Sequence, residues 1–304
     1  MKGKKVLVVG GTGFIGYHLL KLCLLKKIDV TCISYKKNNK KSYLKNVTYL
    51  KCDVSKKEEL KKIKKIYDII VNLSGYIDHK NKKNANTHFL SCKNLLNHFK
   101  NSRAKIFIQV GSSSEYGKIK SPHKEKNYGK PKTIYGLSKK KASDFLFDNF
   151  KNKKEFLPFV ILRFYQVFGP NQNEERLIPM VIKSSLQNKE FDCSDGKQSR
   201  DFLYVDDAVK AIFKCFNNKK VNFKIINVAS GKSVKVKNLI KIIVKMIKKG
   251  KPNFGKIKLR TDEPLVSRPV ISNAKKYLNW KPKYDLKNAL KKTIIFYKKK
   301  SNLK

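Results

Sequence analysis

Short apolar runs alternate with amphipathic segments through the first half of the chain, and that alternation sets the expected architecture. Lys5 to Val9 reads as a buried strand, followed by the turn GGTGFIG and an apolar-periodic segment from Tyr17 to Leu25. Asp29 to Ser34 is a second strand and Val47 to Cys52 a third. The charged run EELKKIKKI then reads as a helix leading to a fourth strand at Asp68 to Leu73. Continuous apolar strands separated by helices predict a parallel sheet covered on both faces. Helical spacing returns from His88 to Phe99, and Lys105 to Val110 is a fifth strand that ends in Gly111 and three serines. The segment Tyr135 to Phe150 carries Leu137, Ala142, Phe145, Leu146 and Phe150 at three- and four-residue steps, the signature of a helix with one buried face. Phe159 to Leu162 is a sixth strand.

Beyond Gly169 and Pro170 the pattern loosens. Ile178 to Leu186 and Val205 to Phe216 read as helices on either side of a charged turn at Ser194 to Arg200. Ile225 to Val228 and Ile257 to Leu259 read as short strands, and Ser272 to Leu278 and Leu286 to Lys299 as helices. The expected fold class is α/β, a Rossmann-type doubly wound parallel sheet over residues 1–168. A smaller, partly discontinuous lobe over 169–304 is expected to return a segment near 201–230 to the first unit.

The glycine turn is the first chemical signal. Gly10, Gly13 and Gly16 join a strand to a helix, so the backbone can approach a diphosphate and the helix N-terminus can meet its charge. The end of the second strand then sets the choice of dinucleotide, because an acid there accepts from the adenosine ribose. Ser34 stands at that place, with Lys36 and Lys37 just beyond. A serine does not repel a 2′-phosphate and an ammonium pairs with one, so the reading favours NADP over NAD. Asp53 is either an acceptor for the adenine amino group or a strand-end cap, and Leu73, Ser74 and Gly75 end the fourth strand where a cofactor would pass.

Tyr135 and Lys139 lie four residues apart, one helical turn on one face. A phenol titrating near pH 10 is a poor proton shuttle, and a nearby ammonium is expected to lower it while also holding the nicotinamide ribose. Ser112, Ser113 and Ser114 follow the fifth strand. One of these hydroxyls is positioned to hydrogen-bond a substrate oxygen as it changes between carbonyl and alcohol. No Gly-x-Ser-x-Gly elbow or ordered His partner accompanies them, which argues against a nucleophilic serine, and the plain alternative is a polar turn rich in caps.

Composition narrows the remaining choices. The 304 residues carry 71 Lys plus Arg against 22 Asp plus Glu, a formal net charge of +49. The positive residues are almost all lysines spread over the whole chain, a solvated surface rather than a nucleic-acid footprint, and scattered arginines offer little base-reading chemistry. The six cysteines form no CxxC pair or clustered framework, and the five histidines no ligand pattern, so neither disulfides nor a metal site is expected. The glycine turn comes before any long apolar segment, which argues against a signal peptide or membrane span and for the cytosol.

Six segments in order resemble the extended short-chain dehydrogenase/reductase superfamily, in its NAD-dependent epimerase/dehydratase branch. They are GGTGFIG at Gly10 to Gly16, SSSEYG at Ser112 to Gly117, YGLSK at Tyr135 to Lys139, LRFYQVFGP at Leu162 to Pro170, SRDFLYVDDA at Ser199 to Ala208, and NAKKYLNWKP at Asn273 to Pro282. The resemblance implies that Tyr135 is the general acid/base, Lys139 its partner and Ser112 the third catalytic group. It places the dinucleotide against Gly10, Gly13, Phe14, Ile15, Gly16, Ser34, Lys36, Asp53, Val54, Leu73, Ser74 and Gly75. It gives Ser113, Gln166, Arg200 and Arg260 to a nucleotide-diphosphate sugar, bound mainly by the C-terminal lobe. It also implies a homodimer through a four-helix interface. Dehydratases of this branch carry an acidic pair after the catalytic hydroxyl, and here those places fall on Ser113 and Ser114. Glu115 would serve only with the loop shifted by one residue. Gln166 and His88 stand where Asn is usual. The expected activity is NAD(P)-dependent oxidoreduction at C4 of a nucleotide-linked hexose, reduction of a 4-keto-6-deoxy sugar being favoured over redox-neutral 4-epimerisation. A non-catalytic dinucleotide-binding regulator or scaffold is the remaining alternative.

Overall fold

The computed structural model describes residues 3–35, 43–75, 86–151, 156–259 and 264–301. Seven strands form one parallel sheet: β1 (Lys5–Val9), β2 (Asp29–Ser34), β3 (Thr48–Lys51), β4 (Ile69–Asn72), β5 (Ile106–Ser112), β6 (Phe159–Phe164) and a later strand, Lys224–Val228. The order across the sheet runs from Lys224–Val228 through β6, β5, β4, β1 and β2 to β3. Every pairing is parallel, so all strand carboxyl ends reach one edge.

Successive residues of β1 face opposite sides, as the period of two requires. Val6 and Val8 join the core that includes Leu19, Leu20 and Cys23 of α1 (Phe14–Leu25). Leu7 and Val9 join Leu95 and Leu96 of α2 (Thr87–Phe99) and Ala142 and Leu146 of α3 (Ile134–Lys151). All four β1 side chains are essentially inaccessible, each stabilising the fold by roughly 1.5–3 kcal/mol. Helix α3 begins where it does because Thr133 closes its first turn: its Oγ1 accepts the Gly136 N–H at 3.0 Å.

The remaining elements build a second layer beyond β6. These are β7 (Gln166–Phe168), α4 (Leu177–Leu186), β8 (Glu190–Cys193), β9 (Ser199–Tyr204), α5 (Val205–Phe213), β10 (Lys224–Val228), β11 (Ser233–Lys235), α6 (Val236–Ile247), β12 (Lys251–Phe254), β13 (Val266–Ser267), α7 (Ser272–Leu278) and α8 (Leu286–Ser301). Strand β9 pairs with β7, β11 and β13, and β8 pairs with β12. Two segments cross back: β10 pairs with β6 in the large sheet, and α5 packs on α1.

Several local expectations are corrected. The run EELKKIKKI forms only a short 3-10 turn, Lys57–Lys62, with Leu60 as its buried residue. The first helix starts at Phe14, because its opening turn includes part of the glycine motif. No strand forms at 257–259; the strand is Lys251–Phe254, aligned by its pairing with β8. The expected charged turn ends in β9, whose residues Arg200 to Tyr204 are all buried. Helix α6 had not been anticipated, although Val236, Leu239, Ile240 and Ile243 recur at helical spacing.

Candidate active site

Strand β1 is flanked by β2 on one side and β4 on the other, so the connections diverge there and open a crevice at the carboxyl ends. A cleft of about 690 Å³ occupies it. Its walls are the glycine turn (Gly10, Thr12, Gly13), the ends of β2 and β3 (Ser34, Asp53, Val54) and the end of β4 (Leu73, Ser74, Gly75). The described residues expected to touch a dinucleotide therefore line one cavity, apart from Phe14, Ile15 and Gly16, which open α1 beside it, and Tyr135 and Lys139 of α3, which are not among its walls. Lys36 lies outside the described residues.

The cleft suits a diphosphate on its own evidence. Gly13 caps α1 without any side-chain hydrogen bond and the first turn carries no acid, so no side chain occupies the start of the helix, although the Gly13 N–H itself bonds to the Gly10 carbonyl oxygen at 3.1 Å. Gly16 lets the helix pass close to the turn, since a Cβ there would lie 2.4 Å from the Gly10 carbonyl oxygen. Thr12 Oγ1 and Ser34 Oγ lie 3.0 Å apart and leave no acid at the end of β2. Asp53 does act as a local cap: its Oδ1 accepts from Ser55 N–H at 3.0 Å and from Ser55 Oγ at 2.6 Å. It lines the cleft as well, so the cap and a ligand contact are compatible.

Ser112 ends β5, and its side chain stands close enough to the hydroxyl of Tyr135, in the first turn of α3, to lower the phenol's pKa. Ser112 Oγ also accepts the Ser114 N–H at 3.1 Å, which holds the hydroxyl at the strand end. The Tyr135 ring meets His88 of α2 edge to face, with centroids 5.2 Å apart. His88 Nδ1 lies 3.1 Å from the Ser74 carbonyl oxygen, tying the phenol's neighbour to the rim of the cleft. One turn along α3, the buried Lys139 donates from Nζ to the Val110 carbonyl at 2.7 Å.

These surroundings overturn one electrostatic expectation. Burial pushes the Tyr135 hydroxyl above its ordinary value; the Ser112 side chain opposes this, Glu115 reinforces it and the charge of Arg176 opposes it. Lys139 does not appear among the groups lowering the phenol. Burial lowers Lys139 itself from 10.5 to about 8, against the raising effects of Glu115 and Cys92. An amine titrating near neutrality is a weaker electrostatic partner than a fully charged one. Arg176, the residue before α4, is the cation acting on the phenol, and no spacing in the sequence pointed to it.

The acidic side chain of the serine turn faces away from the cleft. Glu115 is fully buried and hydrogen-bonded to Ser112 N–H, Ser143 Oγ and Arg163 Nε, so it supplies no carboxyl to a substrate. Ser113 lies in the same short turn, partly exposed. Gln166 begins β7 with its side chain exposed. Arg200 is buried in β9, where Nη1 donates to the Ser199 carbonyl at 2.8 Å and to that of Leu265 at 3.4 Å. The structure thus brings Ser112 close to Tyr135, with Lys139 on the next turn, whereas Arg200 bonds to backbone carbonyls of Ser199 and Leu265. Arg260 lies outside the described residues.

A doubly wound sheet with a glycine-rich phosphate turn, and a hydroxyl–phenol pair at the neighbouring strand end, defines a nucleotide-cofactor enzyme of the α/β class. Residues 6–229 match the NAD dependent epimerase/dehydratase family, and the chain belongs to that family. It is 28% identical to the uncharacterized UDP-glucose epimerase YtcB of Bacillus subtilis, over 96% of this chain and 97% of that one. It is 27% identical to the UDP-N-acetylglucosamine 4-epimerase of Methanobrevibacter ruminantium, a solved structure, with a TM-score of 0.89 over 99% of this chain and 100% of the other. The UDP-glucuronic acid 4-epimerase of Bacillus cereus, solved with UDP-glucuronic acid and NAD, shares the fold at 24% identity and a TM-score of 0.86, over 97% and 99%. Among the described residues no helix is long and apolar enough to cross a membrane, and no group of three or more His, Cys, Asp and Glu residues is placed to hold a metal.

Lys139 provides a pH test that needs no ligand. Its folded value, about 8, lies below the free 10.5, so between those limits the unfolded chain binds more protons and stability rises with pH. The cost of burying the ammonium is fully present below about 8 and fades towards 10.5. Lys139→Met is therefore expected to gain stability over the parent in neutral solution, with the gain shrinking across that window. Denaturant unfolding of both proteins measures it, and a pH-independent difference would contradict the assignment.

Proposed function

We propose that this chain oxidises and reduces C4 of a nucleotide-diphosphate-linked hexose, with a nicotinamide dinucleotide along the strand-end cleft. The observation carrying this reading is the Ser112 side chain close to the Tyr135 hydroxyl at the end of β5, with the carboxyl of the adjoining turn buried against Ser112 N–H and Ser143 Oγ. That arrangement serves proton transfer at a carbinol oxygen and gives dehydration no acid pair.

The bound dinucleotide supplies hydride exchange with C4. In the oxidising direction Tyr135 takes the O4 proton and Ser112 donates a hydrogen bond to that oxygen; in the reducing direction Tyr135 returns the proton. Lys139, one turn below the phenol, holds positive charge near it when protonated and is placed to hold the nicotinamide ribose. Net 4-epimerisation follows when the keto sugar turns and presents its other face before reduction. The names of two relatives similar over nearly the whole chain support epimerisation first. Reduction of a 4-keto-6-deoxy sugar is the second reading, favoured by Ser34 at the end of β2, which leaves room for the 2′-phosphate of NADP, the usual donor in a net reduction.

In this reading residues 1–168 hold the cofactor and reacting groups, and residues 169–304 hold most of the sugar nucleotide, with Ser113, Gln166, Arg200 and Arg260 as its ligands. The return of β10 to the large sheet supports assigning a segment near 201–230 to the first unit. Six free, buried cysteines suit a reducing cytosol. Leu90 and Leu137 stay exposed on α2 and α3, which pack together through Phe89 and Phe145, and this apolar face supports a homodimer.

Four experiments test these proposals. A panel of UDP-glucose, UDP-glucuronic acid, UDP-N-acetylglucosamine and a dTDP-4-keto-6-deoxy sugar, followed by NAD(P)H absorbance and product stereochemistry, separates C4 inversion from net reduction. Tyr135→Phe should lower kcat at least about a hundredfold while folding and cofactor binding persist; near-parental turnover would exclude its proton-transfer role. Calorimetric titration should show that the parent binds NADP, and that Ser34→Asp loses NADP yet keeps NAD through the ribose contact. Equal loss of both, or a parent blind to NADP, removes the second reading's support. Light scattering should find a dimer that Leu137→Glu converts to monomer, and a monomeric parent would end the dimer proposal.

A further inference from the structure

Glu115 touches neither the cleft nor solvent, yet the elements bearing all three proposed reacting groups meet at its carboxylate. Oε1 accepts the Ser112 N–H at 2.8 Å, at the end of β5. Oε2 accepts from Ser143 Oγ at 2.7 Å and from Arg163 Nε at 2.9 Å. Ser143 lies on α3 four residues after Lys139 and eight after Tyr135, on the same side of the helix. Arg163 belongs to β6, the strand beside β5, and its guanidinium also lies 4.6 Å from the centre of the Tyr116 ring. Gly111 leaves space for this arrangement, since a Cβ there would come within 2.4 Å of Glu115 Oε1.

We infer that Glu115 is a positioning residue: its buried carboxylate locks the end of β5 to helix α3 and so sets how the Ser112 hydroxyl meets the Tyr135 phenol. The inference rests on the reading of Ser112, Tyr135 and Lys139 given above and extends it to a residue that touches neither substrate nor cofactor. Two reacting groups carried on separate elements keep their alignment only if something fixes those elements together, and displacements of about 1 Å cost on the order of a hundredfold in rate. Here a single side chain spans the strand end, the helix and the next strand.

The same charge adjusts both titrating groups, since Glu115 raises Tyr135 and Lys139 alike. Among the described residues, polar groups facing Tyr135 include Ser112 from β5, His88 from α2 and Arg176 at the start of α4. Those facing Glu115 are Arg163 from β6 and Ser143 and Lys139 from α3.

Three variants separate charge from reach. Circular dichroism reports folding, kcat and KM are taken on the best substrate of the panel above, and the phenol is titrated by tyrosinate absorbance against the matching Tyr135→Phe protein, which requires no ligand. Glu115→Gln should lower kcat about tenfold or more with KM nearly unchanged, and Tyr135 should titrate at lower pH than in the parent. Glu115→Asp keeps the charge on a shorter arm, so the titration should stay parental while kcat remains low. Ser143→Ala removes only the helix link and should lose kcat several-fold with titration and fold intact. A folded Glu115→Gln protein with parental kcat and parental titration overturns the inference, as does parental kcat in Ser143→Ala or Glu115→Asp. If Glu115→Gln does not fold, Ser143→Ala decides alone. Loss of turnover in Tyr135→Phe without effect in these variants refutes the positioning role only, whereas full turnover in Tyr135→Phe refutes the reading of the site beneath it.

Discussion

Parallel pairing of the seven strands constrains everything else in this molecule. Because each strand of the sheet runs the same way, their carboxyl ends gather along one edge. The glycine turn after β1, Ser34 after β2, Asp53 after β3, Ser74 after β4 and Ser112 at the end of β5 all reach that edge. A long cleft for an extended dinucleotide is therefore a consequence of topology, and the loops need only supply small or polar residues. The inaccessible side chains of β1, packed on both faces, keep the edge straight enough to serve.

Two kinds of electrostatics coexist here, and their ranges separate them. The net charge of +49 is carried mostly by solvated lysines, whose fields are screened beyond roughly 8–10 Å at physiological salt. That field raises the local concentration of an anionic sugar nucleotide without selecting one. Inside the fold, Glu115 and Arg163 form an ion pair almost without solvent, where screening is weak. Tyr135 and Lys139 are both shifted by burial towards their uncharged forms. The phenol is thus held in its neutral form, while Lys139, at about 8, keeps most of its proton at neutral pH.

Much of this was legible in the sequence because it rests on local pattern. Buried strands read as apolar runs, α3 read correctly from its three- and four-residue steps, and the glycine turn declared the cleft. What failed depended on partners distant in the chain. Strand β12 is set by pairing with β8, about sixty residues earlier, so the nearby run at 257–259 was the wrong choice. Strand β9 is buried on both sides and lacks the alternation that would have revealed it. Helix α6 is the exception, since its buried residues Val236, Leu239, Ile240 and Ile243 recur at a local helical spacing. In the site, the direction of Glu115 depends on Arg163 and Ser143, 48 and 28 residues away, and nothing within SSSEYG distinguishes an inward from an outward carboxylate. The state of Lys139 depends likewise on burial, which spacing does not report.

The most direct test of the account is a crystal structure of the chain with NAD and a bound nucleotide sugar. The account places the diphosphate over the amides that open α1, the nicotinamide against the end of β4, and the sugar's C4 hydroxyl within hydrogen-bond reach of Tyr135 and Ser112. A dinucleotide seated elsewhere, or a sugar whose C4 lies remote from the phenol, would contradict it.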